Sequence, residues 1–320
     1  MSGATKAKIE VALAGDQRSD AAAAAILRGL LEVIRANREP SQYAEDPEFL
    51  HQLRIAVRRS RAVQRQLAGV FPPLALHGFG SEFRWLQQAT GQARDLDVYV
   101  HGFESMRSLL PAGLRGDLTP LRQVLEHWRL AAHGQTARAL GSRRTTEMLS
   151  DWEMLLETLV ELPVEDRPRA RRPIAELSGH RIHRVYTRIL RMGEKLSPDS
   201  PPTAFHDLRK KDKELRYLLE LFATSLHPEE VVAPMVKSLK ALQEVLGRHQ
   251  DREVQIPMLR GLADEVARLP RGPAAVLAMG ALAERLAQDE LAAREEVAVR
   301  LAALGSVAQR KLVKKTFASS

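Results

Sequence analysis

The sequence predicts an all-α protein built from two similar helical halves. Apolar residues recur with the period of an α-helix along nearly the whole chain, alternation typical of strands is absent, and two sequence blocks occur twice in the same order. Aromatic residues make up only 5% of the 320 residues, while Ala and Leu are abundant. This composition suits helices that pack closely through small and branched side chains.

The apolar periodicity predicts nine helices, whose ends are marked by segments rich in Pro and Gly. Asp46 followed by Pro47 is typical of an N-cap and of the first residue of a helix. The segment ELPVEDRPRARRP (161–173) contains three Pro and lies near the middle of the chain, so we interpret it as a linker. The predicted helices span residues 20–38, 47–70, 74–104, 118–139, 142–161, 172–194, 203–225, 230–260 and 273–303.

Two blocks of the first half have counterparts in the second half. LHQLRIAVRRSRAVQRQL (50–67) aligns with FHDLRKKDKELRYLLELF (205–222) at an offset of 155, and FRWLQQATGQARDLDVYV (83–100) aligns with LKALQEVLGRHQDREVQI (239–256) at 156. Matches in the same order at nearly the same offset indicate a tandem repeat. We therefore expect a flexible N-terminus (1–19), a domain over 20–305 made of a first half (20–161), a linker (162–172) and a second half (173–305), and a basic, frayed C-terminal tail (306–320).

Each copy of the first block carries one His and a series of basic residues at positions 0, +3, +7 and +10. At about 100° per residue these positions fall on one stripe about 80° wide, beside the apolar face of the helix. A fifth residue, Arg65, extends the first copy at +14. The stripe residues are His51, Arg54, Arg58, Arg61 and Arg65 in the first copy, and His206, Arg209, Lys213 and Arg216 in the second.

The stripes predict a surface that binds a polyanion. The chain has 48 basic and 40 acidic residues, and 37 of the basic ones are Arg, whose planar fork grips phosphate through two hydrogen bonds. A GC-rich genome also raises the Arg content, so composition alone does not decide. However, no Asp or Glu lies between Glu48 and Glu82, whereas solvated helix faces usually alternate their signs. Like charges in a row cost folding free energy unless an anion neutralises them.

With these motifs the chain resembles the CHAD family, the conserved-histidine α-helical domain, over about residues 20 to 305. The resemblance implies two pseudo-symmetric four-helix bundles, a basic groove between them that binds inorganic polyphosphate, and association with polyphosphate granules. It also implies that Asp95 and Asp251, which stand where the family keeps a carboxylate, orient neighbouring His or Arg side chains. Lys213 departs from the family's Arg and would hold phosphate as a point charge, without the fork.

The resemblance assigns polyphosphate binding to the stripe residues, and the aligned pair Arg84 and Lys240 is added to them. Basic residues on the helices that precede the motifs are candidates for additional walls of the groove. These wall candidates are Arg28, Arg35 and Arg38 in the first half, and Arg181, Arg184 and Arg188 in the second.

Two other classes of function stay open as alternatives. A polyphosphate-processing enzyme would use His206, Asp207, His51 and Asp251 as a metal set, but the two His are equivalent positions of a repeat and lie among arginines that repel a metal. The two His of HRIH (180–183) have a spacing that could hold a metal, but they lack a carboxylate partner. The sequence also contains no P-loop, Gly-x-Ser-x-Gly or His-Glu-x-x-His motif. We therefore expect no catalytic residues, no metal and no cofactor.

A helical nucleic-acid-binding protein is the second alternative. The stripes contain only one aromatic residue, Tyr217, whereas sites for single-stranded nucleic acid stack several bases on aromatic rings. We therefore expect nucleic acid to compete only weakly.

The sequence also predicts where the protein resides. It has no Cys, no apolar run near the roughly 20 residues of a membrane span, and no apolar core of a signal peptide. Its start, KIEVALAGD, lacks the Glu-x-Glu-x-Lys strand of the triphosphatase domain fused to some CHAD proteins. We therefore expect a stand-alone, cytoplasmic protein that does not bind membranes, and a monomer is the working expectation.

Overall fold

The computed structural model describes residues 3–318, and these residues form helices joined by short connections. Only one isolated β-bridge, between Arg18 and Pro173, occurs within that range, and no strand does. The all-α prediction is therefore confirmed. No helix within residues 3–318 combines the length and the apolar content that crossing a membrane requires.

The helices are numbered in chain order. They are α1 (Ser19–Gln42), α2 (Pro47–Gln66), α3 (Pro73–Ala89), α4 (Gly91–His101), α5 (Phe103–Ser108), α6 (Ala112–Arg115), α7 (Thr119–Gly141), α8 (Arg143–Thr158), α9 (Ile174–Gly193), α10 (Pro202–Leu218), α11 (Thr224–Leu226), α12 (Glu229–Ala267), α13 (Gly272–Leu304) and α14 (Val307–Phe317). Short 3₁₀ turns cover Ala68–Val70 and Gly116–Leu118, and a π-helical turn covers Leu219–Ala223.

Several predicted helix ends agree with the structure to within a few residues, and others differ, among them the end of α12, which extends to Ala267. The Asp46 side chain accepts a hydrogen bond from the Glu48 N–H at 2.8 Å, as expected of an N-cap. The helix predicted over 20–38 continues through Pro40 to Gln42, although the missing N–H of this Pro costs α1 one helical hydrogen bond close to its end. The helix predicted over 74–104 is divided into α3, α4 and α5, with the first break at Thr90.

The helices of the two halves correspond at the offsets of the sequence repeat. The first residues of α1 and α9 and those of α2 and α10 are 155 positions apart, while those of α3 and α12 are 156 apart. The second copy therefore has one extra residue between α10 and α12. The π-helical turn Leu219–Ala223 lies in this stretch, and a π turn holds one more residue than an α turn.

The apolar core does not divide along the boundary between the halves. One cluster joins α1, α2 and α8 to α9, α10 and the first part of α12, and a second joins α4 and α7 to the later part of α12 and to α13. Each half therefore covers apolar surface of the other. We expected one four-helix bundle in each half. Because both clusters contain helices of both halves, the packing does not mark out these bundles, and the division stays a prediction.

Near both ends of the described range the chain packs on the helices, whereas we expected a flexible N-terminus and a frayed tail; their flexibility stays a prediction. The N–H of buried Ala7 donates to Gln52 Oε1 at 2.7 Å, and its carbonyl accepts from Arg59 Nη1 at 2.6 Å. At the other end, α14 buries Val313 and Phe317. These two residues are four positions apart, so they lie on the same face of a helix. This apolar spacing was overlooked in the sequence because three Lys surround it.

The predicted linker is also held in place. Arg167 is fully buried, and its guanidinium donates to the carbonyls of Leu159 and Pro163, each at 2.8 Å. Its Nη1 lies 3.3 Å from Oδ2 of Asp20, which is buried at the start of α1. The linker therefore ties the first helix of the chain to the middle of the sequence.

Candidate anion-binding groove

Helices α2 and α10 bring the two basic stripes together. Cavity A, of about 650 Å³, is lined by Arg58, Arg61 and Arg65 from α2 and by His206, Arg209 and Lys213 from α10. Cavity B, of about 1460 Å³, is lined by His51 and Arg58 from α2, by Arg209, Lys213 and Arg216 from α10, and by Lys240 from α12. The start of each stripe thus faces the end of the other, as two antiparallel helices require.

Four residues line both cavities, so we treat A and B as one groove. They are Arg58, Arg209, Lys213 and Tyr217. Among residues 3–318, neither Arg58 nor Arg209 nor Lys213 forms an ion pair within 4.0 Å or a hydrogen bond. The centre of the groove therefore holds three positive groups, contributed by both halves, without a direct counter-ion.

Lys213 is the most perturbed of these groups. Burial lowers its pKa to about 7, and the charges of Arg209, Arg58 and Arg216 act in the same direction, while Asp251 opposes them. The preceding residue, Asp212, is fully buried, and within residues 3–318 neither of its oxygens has a partner within hydrogen-bond distance, although the Gln243 side chain lies near enough to favour the ionised carboxylate. Burial raises the Asp212 pKa to about 7, against the effects of nearby Gln243 and Arg216.

Arg54 corrects the prediction of a contact with the anion. Its side chain is buried and lines neither cavity, because its Nη1 donates to the Gln87 carbonyl at 2.6 Å and to Thr90 Oγ1 at 2.8 Å. The break between α3 and α4 leaves that carbonyl available. Burial lowers the Arg54 pKa to about 10. Arg54 therefore supports the floor of the groove from below.

Arg61 and Arg65 lie at the outer end of cavity A. Arg61 Nη1 donates to Gln87 Oε1 at 2.6 Å, and burial together with Arg65, Arg84 and Arg58 lowers its pKa. Arg84 thus lies near the groove, but it is exposed and lines neither cavity.

The two repeated histidines differ in environment. His51 is half-buried in cavity B, and burial followed by the Arg94 charge lowers its pKa. His206 is exposed in cavity A, where its Nδ1 contacts Gln250 Oε1. They lie in different cavities, so the structure does not bring them together as a metal set.

Asp95 and Asp251 stand at equivalent positions of the second block, and their carboxylates lie close enough to interact. Burial, followed by the charges of these two carboxylates, raises the pKa of Tyr99 to about 12. Burial raises the pKa of Asp95 and of Asp251, opposed by Arg54 and Arg209 respectively. Within residues 3–318 neither carboxylate hydrogen-bonds to a basic side chain. Their predicted orienting role would therefore act through charge.

The predicted additional wall residues lie away from the cavities in the first half and line cavities in the second half. Arg35 forms an ion pair with Glu153, and Arg38 donates to the Leu140 carbonyl at 2.7 Å, so both hold α1 against α7 and α8. Arg28 is exposed and lines no described cavity. In contrast, Arg181, Arg184 and Arg188 line cavity C, of about 710 Å³, and Arg188 also lines cavity A.

The sequence analysis missed some residues of the groove. Lys210 and Lys211 line cavity A, and Lys8 and Lys237 line cavity B. Gln87 also lines cavity A, and its alignment with Gln243 in the repeat was a usable signal. Nothing local in the sequence shows that Lys8, near the N-terminus, folds back onto α10 and α12.

One group of potential metal ligands exists within residues 3–318, and it lies outside the cavities. His249, Glu253 and Glu290 bring their ligand atoms within 4.8 Å of one another between α12 and α13. Glu290 Oε1 already lies 2.7 Å from His249 Nε2 and 2.5 Å from Arg294 Nε. Arg294 therefore already neutralises this carboxylate.

These features define a helical protein with a basic groove between two repeated helices. The CHAD domain matches residues 25–260, and the chain belongs to the CHAD family. The fold is similar to the crystal structure of the CHAD domain from the plant Ricinus communis, with 27% sequence identity and a TM-score of 0.78 over 94% of this chain and 97% of that one. It is also similar to PptA from Streptomyces chartreusis, with 17% identity and a TM-score of 0.67 over 89% and 99% of the two chains. No curated protein matches the sequence.

Proposed function

We propose that the protein binds inorganic polyphosphate in the groove, without cleaving it, in the cytoplasm and at polyphosphate granules. The observation that carries this proposal is the group of Arg58, Arg209 and Lys213, which converge from both halves without a direct counter-ion. A chain of phosphates supplies repeated negative charge to such a row. Membership of the CHAD family supports the same ligand.

The groove favours polyphosphate over single-stranded nucleic acid. Its one aromatic residue shared by both cavities, Tyr217, is buried, and the guanidiniums of Arg59 and Arg216 lie 5.9 and 5.5 Å from its ring centroid. This ring is therefore engaged within the protein, whereas base binding needs exposed aromatic faces.

Titration tests both parts of this proposal. The purified protein is titrated with long-chain polyphosphate, single-stranded RNA and inositol hexakisphosphate at two salt concentrations. We expect polyphosphate to bind most tightly near 150 mM salt, with an affinity that falls as salt rises, because counterions are released. RNA binding of equal strength at that salt would favour the nucleic-acid alternative.

The same samples, incubated with Mg²⁺ or Mn²⁺, test for catalysis. We expect the length of the polyphosphate chains to stay unchanged over hours. Release of phosphate that is lost in a His206→Ala variant would instead favour the enzyme alternative.

A further inference from the structure

Helix α9 carries a third basic stripe with the spacing of the groove motif. Arg181, Arg184, Arg188 and Arg191 stand at positions 0, +3, +7 and +10, so they lie on one face of the helix. At 1.5 Å per residue the stripe is about 15 Å long. The residue class and the spacing therefore repeat those of α2 and α10, on a helix outside the groove.

The protein does not neutralise this stripe. Within residues 3–318, Arg184, Arg188 and Arg191 form no ion pair and no hydrogen bond, and all three are exposed. Arg181 is half-buried, and burial together with the Arg184 charge lowers its pKa. The stripe is therefore an uncompensated positive surface.

The stripe is continuous with the groove. Arg188, Lys211 and Glu214 line both cavity A and cavity C. Glu214, the acid at this junction, is already engaged, because its carboxylate lies 2.7 Å from Lys211 Nζ and accepts from Gln66 at 2.7 Å. No residue of the junction therefore interrupts the positive path from cavity A onto α9.

The first half shows that this stripe is not a requirement of the fold. At the offset of 155, Leu30 and Leu31 of α1 correspond to Val185 and Tyr186 of α9, and all four are buried. In the same register, the arginine positions of α9 are occupied in α1 by Ile26, Gly29, Val33 and Ala36.

The N-terminal segment covers this face of α1. A Cβ added to Gly29 would lie 3.5 Å from Ile9, and Asn37 Nδ2 donates to the Thr5 carbonyl at 2.8 Å. The equivalent face of α9 is open and lined with arginines. The two halves therefore use the same helix face for different purposes, packing in one and exposed charge in the other.

We propose that a polyphosphate chain leaving cavity A continues over α9, where the third stripe binds the segment that the groove does not hold. This inference rests on the proposed function. The lining of cavity C includes His180 and His183 but no Phe, Tyr or Trp, so its chemistry fits a phosphate chain better than a series of stacked bases. The extension makes affinity depend on chain length, because only a chain that fills the groove reaches α9.

A charge-matched pair of variants tests this extension. Arg184→Gln with Arg191→Gln removes two stripe residues that line cavity C alone. Arg260→Gln with Arg268→Gln removes two exposed arginines, one in α12 and one directly after it, which line none of the three cavities and form no ion pair within residues 3–318. Both double variants lower the net charge by the same amount and spare the groove.

Binding of tripolyphosphate and of long-chain polyphosphate is measured for each variant and for the parent protein. We expect the α9 variant to lose about tenfold in affinity for the long chain, with a shallower salt dependence, and less than twofold for tripolyphosphate. The α12 variant should lose less than twofold for either.

Equal losses in the two variants with the long chain would overturn the extension while leaving the groove intact. A selective loss of RNA binding in the α9 variant would also overturn it and assign the stripe to nucleic acid. Failure of the parent protein to bind polyphosphate of any length would instead overturn the proposed function.

Discussion

Arg54 and Arg209 occupy equivalent positions of the repeat, but Arg54 forms hydrogen bonds inside the protein and Arg209 lines the groove. In the first half the helix breaks at Thr90, and Arg54 is bound by the free Gln87 carbonyl below the groove. In the second half the corresponding helix, α12, is continuous, so Arg209 finds no such carbonyl and lines both cavities. A helix break elsewhere thus decides whether a repeated Arg supports the groove or forms its surface.

The two copies also differ in the residues that titrate beside the groove. Val57 and Arg58 of α2 correspond to Asp212 and Lys213 of α10. Val57 is an ordinary core residue, whereas Asp212 is a fully buried carboxyl. The first copy is therefore permanently charged at the groove, while the second has two groups whose pKa values lie near 7.

The largest expected effect is on stability, and it comes from replacing Asp212 by the residue of the first copy. The Asp212 pKa is about 7 in the folded protein and about 3.8 in its ordinary state, so ionisation opposes folding above pH 4. Asp212→Val should raise the free energy of unfolding by about 2–4 kcal/mol at pH 8, and by progressively less as the pH falls toward 4. Urea unfolding at pH 8 and pH 5 measures this difference.

The reverse substitution in the first copy is the matched control. Val57→Asp places the same carboxyl at the equivalent buried position and should destabilise the protein more at pH 8 than at pH 5. A gain from Asp212→Val that does not depend on pH would mean that packing, and not ionisation, distinguishes the two copies.

The next effect separates the two equivalent arginines by what they change. Arg209→Ala removes a contact to the bound anion and should weaken polyphosphate binding by about tenfold or more, since hydrogen bonds to charged groups contribute about 1.5–3 kcal/mol. Arg54→Ala should change affinity by less than about threefold while lowering stability, because its hydrogen bonds are internal. Titration and thermal unfolding of both variants check this. Equal losses of affinity would show that Arg54 also reaches the ligand.

The sequence was sufficient for the features that depend on helix periodicity. The convergence of Arg58 with Lys213 was expected only from the resemblance to the CHAD family. The helical class and the repeat follow from residues at fixed spacing along the chain. The burial of Arg54 does not, because it depends on a helix break at Thr90 that no Pro and no strong turn signal marks. The hydrogen bonds of Arg35 and Arg38 likewise could not be predicted, because their partners belong to α8 and α7, about a hundred residues away in the chain.

The smallest expected effect is the response of binding to pH, and it distinguishes Arg58 from Lys213. With a pKa of about 7 in the free protein, Lys213 is charged at pH 6 and mostly neutral at pH 8. A bound polyanion favours the charged form, so binding takes up a proton above pH 7, and affinity falls as the pH rises. Between pH 6 and pH 8 we expect a loss of about tenfold, measured with long chains, in which end groups are few.

Lys213→Arg isolates this contribution, because it restores the permanently charged residue of the first copy and leaves His51, His206 and Asp212 in place. The variant should keep the affinity of the parent protein at pH 6 and lose much less of it by pH 8, since Arg stays charged throughout. Arg58→Lys is the converse control and should steepen the pH dependence, because the new ammonium faces Arg209 and Lys213 in the same groove. If the parent protein and Lys213→Arg lose affinity in parallel, Lys213 is not the group that makes binding depend on pH, and this difference between the two copies does not affect binding.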